Sequence, residues 1–492
     1  MINKESNHPQ PKTPRRDFLK KSSLALGSLT VVPSHFLFAK KAVINKEGGI
    51  VKMAKLAPSD MVNMAFCGIG HRGGGILRAF NHTGMVNTTV LCDVDMGAEH
   101  TLRSLEDHPD AKRFQDFREM IDKASGEFDA VSIGTPDFSH FPIAMLCMSE
   151  GKHVYVEKPL TRTFHEAELL IQAAQKYPVA TQMGNQGHSE GNYFQFKTWV
   201  EAGIIKDVTS MTAHMNGRRR WHGWDTNMRS YPVDTLVPKT LDWDTWLMAS
   251  AYHDYHDDFV NGQWRCWFEH GMGALGDWGA HIMDTAHEFL ELGLPYEVEP
   301  IRIDGHNSLF FPQASTLAFK FPQRGNMPEC TITWYDGVDN IPVVPEGYGE
   351  LEVDPNIPPV NGQVKPTKLG AGKIIYSKEL LFKGGSHGST LKIIPEEIAL
   401  DMESGLPEVP ESPSNHFENF VLAARGEEKT RSPFEVSGPL SQVFCLGTIA
   451  QRLNTTIQFD SETRQITNNA FANALLVGTP PRKGWEEFYD MV

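Results

Sequence analysis

Three groups of residues in this 492-residue chain have types and spacings that could do chemistry. The first is Gly68-Ile69-Gly70-His71-Arg72-Gly73, a G-x-G-x-x-G turn that follows an apolar run and opens a helical pattern. Glycines so placed let backbone N–H groups approach a pyrophosphate at a helix N-terminus. Asp93 ends the next apolar run 20 residues after Gly73, where a carboxylate can accept hydrogen bonds from an adenosine ribose. With Val94 next and no adjacent Arg, that carboxylate would repel a 2′-phosphate, so the pattern favours NAD over NADP. Context carries this reading. With 42 glycines in the chain, about 0.3 chance matches are expected, and a second match at Gly271, Gly273 and Gly276 follows no strand pattern.

The second group is Glu157-Lys158-Pro159, at the end of the apolar run Val154-Tyr155-Val156. A lysine at the carboxyl end of a strand stands where open parallel sheets place their ligands, although a solvated charge would read the same way. Pro159 fixes φ and lacks a donor, which helps set the turn that aims Lys158. The third group is Asp277-x-x-x-His281, continued by Asp284 and Glu288. Positions three or four apart share one helix face. A carboxylate one turn before an imidazole can orient it and stabilise its protonated form, which suits a base that takes a hydroxyl proton as hydride leaves. The spacing also admits an ordinary ion pair, or a metal site using His281 and His287; no metal is expected.

These groups need elements to hold them. Candidate strands at Val62–Cys67, Thr88–Cys92, Ala130–Ile133, His153–Glu157 and Val179–Met183 alternate with helical spacing at 75–81, 117–123, 141–148 and 164–176. That alternation predicts right-handed crossovers and a doubly wound parallel sheet over 61–187. From Val208 the pattern is strand-rich, with candidates at Val208–Met215, Thr316–Phe321, Thr331–Trp334 and Thr455–Phe459. Helical patterns return at 415–424 and 438–453, and a Pro/Gly-rich stretch over 337–372 reads as an ordered loop or flap.

With Gly134-Thr135-Pro136-Asp137-Phe138-Ser139-His140 and a strand ending in Glu-Lys-Pro, the chain resembles the Gfo/Idh/MocA oxidoreductase superfamily. The motifs Leu241-Asp242-Trp243-Asp244-Thr245-Trp246-Leu247 and Gly276-Asp277-Trp278-Gly279-Ala280-His281 make it similar to the exported bacterial branch. The resemblance implies an N-terminal NAD-binding Rossmann domain over 61–187. A C-terminal α/β domain for substrate binding and oligomerisation, built on an open, largely antiparallel sheet, would cover 188–492. It implies that Lys158, His281 and Asp277 are catalytic. Gly68, Gly70, His71, Arg72, Gly73, Asp93, Thr135, Pro136, His140, Glu157, Lys158 and Asn185 would hold the cofactor, and Trp221, Tyr255 and His256 would line the substrate pocket.

The implied function is oxidation or reduction of a ring hydroxyl or keto group on a sugar, glycoside or cyclitol, with tightly bound NAD, in a homo-oligomer. A second reading is an NAD-dependent glycoside hydrolase that oxidises, eliminates, hydrates and re-reduces; retention of Glu157-Lys158-Pro159 favours the first. A third is a non-catalytic Rossmann binding protein.

Composition sets the outer limits. Forty-six Lys/Arg against 61 Asp/Glu give −15, which argues against a nucleic-acid partner, even with the basic-aromatic run from Arg218 to Trp224. Residues 1–41 carry +6, leaving −21 for the rest. Arg15-Arg16-Asp17-Phe18-Leu19-Lys20 before the apolar run Ser22–Ala39 resembles a twin-arginine leader over 1–40, with a linker over 41–60, engagement of that export machinery and a periplasmic location. A membrane anchor is disfavoured by Gly27, Pro33, Ser34 and His35. Six cysteines are too few for a disulfide scaffold. Cys67, Cys92, Cys147 and Cys445 read as buried thiols, and Cys266 and Cys330 are left open.

Overall fold

A computed structural model describes residues 60–217, 223, 225–233, 235–353 and 355–492. The expected leader, the linker up to residue 59, and Trp221 lie outside the described residues.

The first sheet has six parallel strands: β1 (Val62–Cys67), β2 (Val86–Cys92), β3 (Lys112–Phe114), β4 (Ala130–Ile133), β5 (His153–Val156) and β6 (Thr181–Met183). Their order is β3-β2-β1-β4-β5-β6. Helices cover both faces, so the central strands are largely apolar rather than alternating; every residue of β4 is buried. The crossovers are α1 (His71–His82), α2 (Glu99–Asp107), α3 (Phe117–Ala124), α4 (His140–Ser149) and α5 (Phe164–Lys176). Thr163 and Glu166 form a capping box that starts α5.

After α6 (Gly191–Glu201), β7 (Val208–Met215) begins a nine-stranded sheet. A short helix α7 (Trp243–Leu247) and the consecutive helices α8 (Gly273–Ile282) and α9 (Asp284–Phe289) precede the remaining strands. These are β8 (Glu297–Asp304), β9 (Ala314–Phe321), β10 (Cys330–Asp336), then β11 (Val344–Pro345) and β12 (Gln363–Val364), which pair only with each other. Next come β13 (Gly372–Ser377), β14 (Leu381–Gly385), β15 (Lys392–Ile394), β16 (Ile457–Asp460) and β17 (Gln465–Ile466). The sheet order is β15-β14-β13-β7-β10-β9-β8-β16-β17, antiparallel throughout except where β7 runs parallel to β10. The 337–372 stretch therefore folds around its own small hairpin.

The remaining helices are α10 (Glu396–Met402), α11 (His416–Ala424), α12 (Phe434–Leu453) and α13 (Ala470–Leu475). The 20-residue α12 is buried along most of its length, packs against α5 and α8, and ends at Asn454 in the left-handed region. All six cysteines are buried and free, so Cys266 and Cys330 join the other four. Among the described residues no helix is long and apolar enough to cross a membrane.

Candidate active site

At the carboxyl edge of the parallel sheet, where strand order reverses between β1 and β4, lies a cavity of about 850 Å³. That is within the range of roughly 300–1,000 Å³ typical of small-molecule sites. β1 is followed by Gly68, whose φ is +78° and where a Cβ would stand 2.8 Å from the Gly134 carbonyl. A Cβ on Gly73 would stand 2.0 Å from the Gly68 oxygen. The turns after β1 and β4 and the start of α1 thus touch backbone to backbone. Asp93 lines the same cavity; its Oδ2 accepts from Ile69 N–H (2.9 Å) and its Oδ1 from Asp95 N–H (3.1 Å). Each oxygen keeps a lone pair for a ribose hydroxyl. This cradle fits a dinucleotide. His100 lies over Gly70 and stacks on His71 with ring centroids 4.3 Å apart. Thr135, Pro136, Arg72, Glu157 and Lys158 also line the cavity, and Arg72 pairs with Glu157 at 3.3 Å.

At the inner end, Lys158 Nζ donates to Asp277 Oδ1 at 2.6 Å and to the Asp277 carbonyl at 3.0 Å. Glycines in α8 make this approach possible. A Cβ on Gly276 would stand 3.3 Å from Pro159 Cγ, and one on Gly279 would stand 2.8 Å from Phe444 of α12. The helix is thereby seated between the Lys158-Pro159 turn and α12. Asp277 was expected to orient His281; the structure gives its carboxylate to Lys158 instead. The His281 ring stacks on His387, centroids 4.0 Å apart and planes 16° from parallel. Burial, and then the nearby Lys158 and His387, push the His281 pKa well below the ordinary imidazole value, so the ring is a neutral base at pH 7.

Several expected contact residues stand elsewhere. His140 is fully buried, its Nδ1 2.9 Å from the Pro159 oxygen and its Nε2 2.9 Å from the Thr135 oxygen. It ties together two turns that line the cavity and does not itself face it. His256 Nδ1 accepts from Asp258 N–H and caps a short turn rather than facing the cavity. Asn185 is buried beside Asp284 (3.5 Å) at the junction of the two sheets. His188 lies there too, between Asp284 (3.3 Å) and Glu288 (2.5 Å). Burial opposes its charge, but the hydrogen bonds to the two carboxylates prevail and raise its pKa to about 9. Tyr255 does line the cavity, with Trp246 and Trp264.

Two cavity residues were missed. Asp137 accepts from Met272 N–H at 3.1 Å, and burial raises its pKa to about 7 against the opposing pull of Arg265 and Lys158. Its position directly after Thr135-Pro136 was the available signal. Arg265 packs over Trp264 and lies 3.9 Å from Asp277; nothing in its local sequence marked it. Among the described residues no group of three His, Cys, Asp or Glu side chains is arranged to hold a metal ion.

Residues 62–185 match an oxidoreductase family described as an NAD-binding Rossmann fold, and residues 195–308 match the C-terminal alpha/beta domain of the same family. The alpha-N-acetylgalactosaminidase of Shewanella oneidensis is 29% identical over 255 residues, covering 46% of this chain and 54% of that protein. A glycosyl hydrolase family 109 protein of Shewanella baltica is 28% identical with the same coverage. The chain thus spans about half the length of the curated relatives it matches. Among solved structures, the WlbA dehydrogenase of Bordetella pertussis, in complex with NADH and UDP-GlcNAcA, superposes with a TM-score of 0.52 at 14% identity, over 81% of this chain and 99% of that one. The aldose-aldose oxidoreductase of Caulobacter crescentus gives 0.50 at 14% identity, over 81% and 100%. At such identities the likeness is one of fold.

Proposed function

We propose that this chain, which has the Gfo/Idh/MocA superfamily oxidoreductase fold with an NAD-binding Rossmann domain, is a sugar-acting NAD-dependent enzyme that cleaves glycosides by transient oxidation. The observation that carries the redox step is Lys158, at the inner end of the dinucleotide cavity, clamped by Asp277 beside a neutral His281. Support for cleavage, over the net oxidation placed first by sequence, comes from the glycosyl hydrolase names of the relatives.

NAD, when bound, would take hydride from the carbon bearing a ring hydroxyl and return it at the end of the cycle. Lys158 donates to the hydroxyl oxygen and stabilises charge as it builds there, while Asp277 fixes the position of Nζ. His281 accepts the hydroxyl proton. The ketone so formed acidifies the neighbouring C–H. Loss of that proton expels the aglycone, water adds to the resulting enone, and reversal of the first step gives the free sugar. The cycle is redox-neutral, so one bound cofactor serves many turnovers.

A second reading, net oxidoreduction of a sugar or cyclitol, is favoured by the intact Glu157-Lys158-Pro159 turn. Mass spectrometry of products from a glycoside panel separates the two: free sugar supports cleavage, and a keto-sugar supports oxidation. We read residues 1–40 as a twin-arginine leader that places the enzyme in the periplasm. Replacing Arg15 and Arg16 together with Lys should then stop export of the folded protein, and unimpaired export would remove that part of the reading.

A further inference from the structure

We propose that His387 is a positioning residue for His281, fixing the plane of its ring from the tip of the β14–β15 hairpin; this deepens the role given to His281 above. The tip reaches the end of α8, where His387 N–H donates to the His281 carbonyl at 2.8 Å. Its ring lies face to face with that of His281, and Trp278 meets His387 nearly perpendicular, centroids 5.4 Å apart.

The need for such a partner follows from what Asp277 does. In an Asp–His pair the carboxylate sets the orientation of the imidazole. Here the carboxylate one turn before His281 is held by Lys158, and among the described residues the buried His281 Nδ1 has no hydrogen-bond partner. The stacked ring supplies the constraint that a hydrogen bond would otherwise give.

The hairpin tip is itself fixed. His387 has φ +56°, a conformation L side chains rarely adopt and keep only where the surroundings impose it. On either side the contact is made by a glycine. A Cβ on Gly187 would stand 2.6 Å from the His387 carbonyl carbon, and one on Gly388 would stand 1.6 Å from Glu190 Oε2. The tip is therefore seated against the 185–190 turn, with the His387 side chain directed onto His281. The charged and titratable groups that bear on His281 are Lys158, Arg72, Asp277 and His387; those on His387 are Lys158, Asp284, Arg72 and Asp277.

The test uses histidine-labelled, NAD-loaded protein, with NMR titration of His281 and steady-state kinetics on any glycoside the wild type turns over. In His387→Ala, the His281 titration should move to higher pH as the neighbouring ring and its shielding are lost. kcat should fall between about tenfold and a hundredfold through misorientation, with KM within about twofold. His387→Phe restores a flat ring and should recover kcat to within about threefold of wild type. An unmoved His281 titration in His387→Ala overturns the proposal even if kcat and Tm both fall. So does a folded His387→Phe no better than His387→Ala. If the wild type turns over no glycoside, the functional reading fails, and the titration still decides the role of His387.

Discussion

Lys158 and Asp277, 119 positions apart in sequence, meet through a 2.6 Å ion pair that joins the turn after β5 to helix α8. Both side chains are about nine-tenths buried, so the pair is held in low dielectric, where removing one partner strands the other. Asp277→Asn should lower kcat by about 10²- to 10⁴-fold, as should Lys158→Met, the range for lost acid–base function. Each variant should keep its dinucleotide content. Turnover near wild type in Lys158→Met would remove Lys158 from the chemistry.

That pair also marks what the sequence could not disclose. Asp277 and His281 are four apart, so helix geometry offers them to each other. The competing partner, Lys158, lies in the turn after β5 of the parallel sheet and is visible only once the chain is folded. By contrast, the Rossmann sheet was legible because its central strands are short, largely apolar runs: β1 and β4 fall on the expected residues, and β2 and β5 within two. β3, Lys112–Phe114, escaped because it is a three-residue edge strand with exposed Lys112 and Arg113. β8, Glu-Val-Glu-Pro-Ile-Arg-Ile-Asp, alternates charge with apolar residues and contains a proline, so composition masks it.

In the cradle, Gly73→Ala should abolish dinucleotide retention without unfolding the protein, because the added methyl would collide with the Gly68 carbonyl. The check is NAD(H) released on denaturation, beside a circular-dichroism spectrum. Full cofactor content in Gly73→Ala would contradict the backbone contact described here.

At the domain junction, His188 ties protonation to stability. Its pKa is raised from an ordinary 6.5 to about 9, so its contribution is fully present below pH 6.5 and is lost as pH rises through 9. The contribution is at most about 3 kcal/mol. Wild-type Tm should therefore decline between pH 6.5 and 9 more steeply than that of His188→Gln. Parallel curves would show that His188 carries no extra proton in the folded state.

Asp137 acts in the same sense over a lower window. Burial raises its pKa from 3.8 to about 7, so the folded state keeps a proton that the unfolded chain releases, and stability falls as pH rises from about 4 to 7. Asp137→Asn should gain in Tm relative to wild type across that window and hold the gain above it. A constant difference between the two proteins from pH 4 to 8 would contradict a protonated Asp137 beside Lys158.

Solvent deuterium reports whether hydride removal from a ring carbon precedes bond cleavage. NAD-loaded enzyme is incubated in D₂O with a panel of nitrophenyl glycosides, and the released sugar is analysed by mass spectrometry. Free sugar should carry one non-exchangeable deuterium at the carbon that loses its proton in the elimination step, formed without net production of NADH and abolished in Lys158→Met. Release of sugar without deuterium, or by enzyme stripped of NAD, would contradict hydride removal before cleavage.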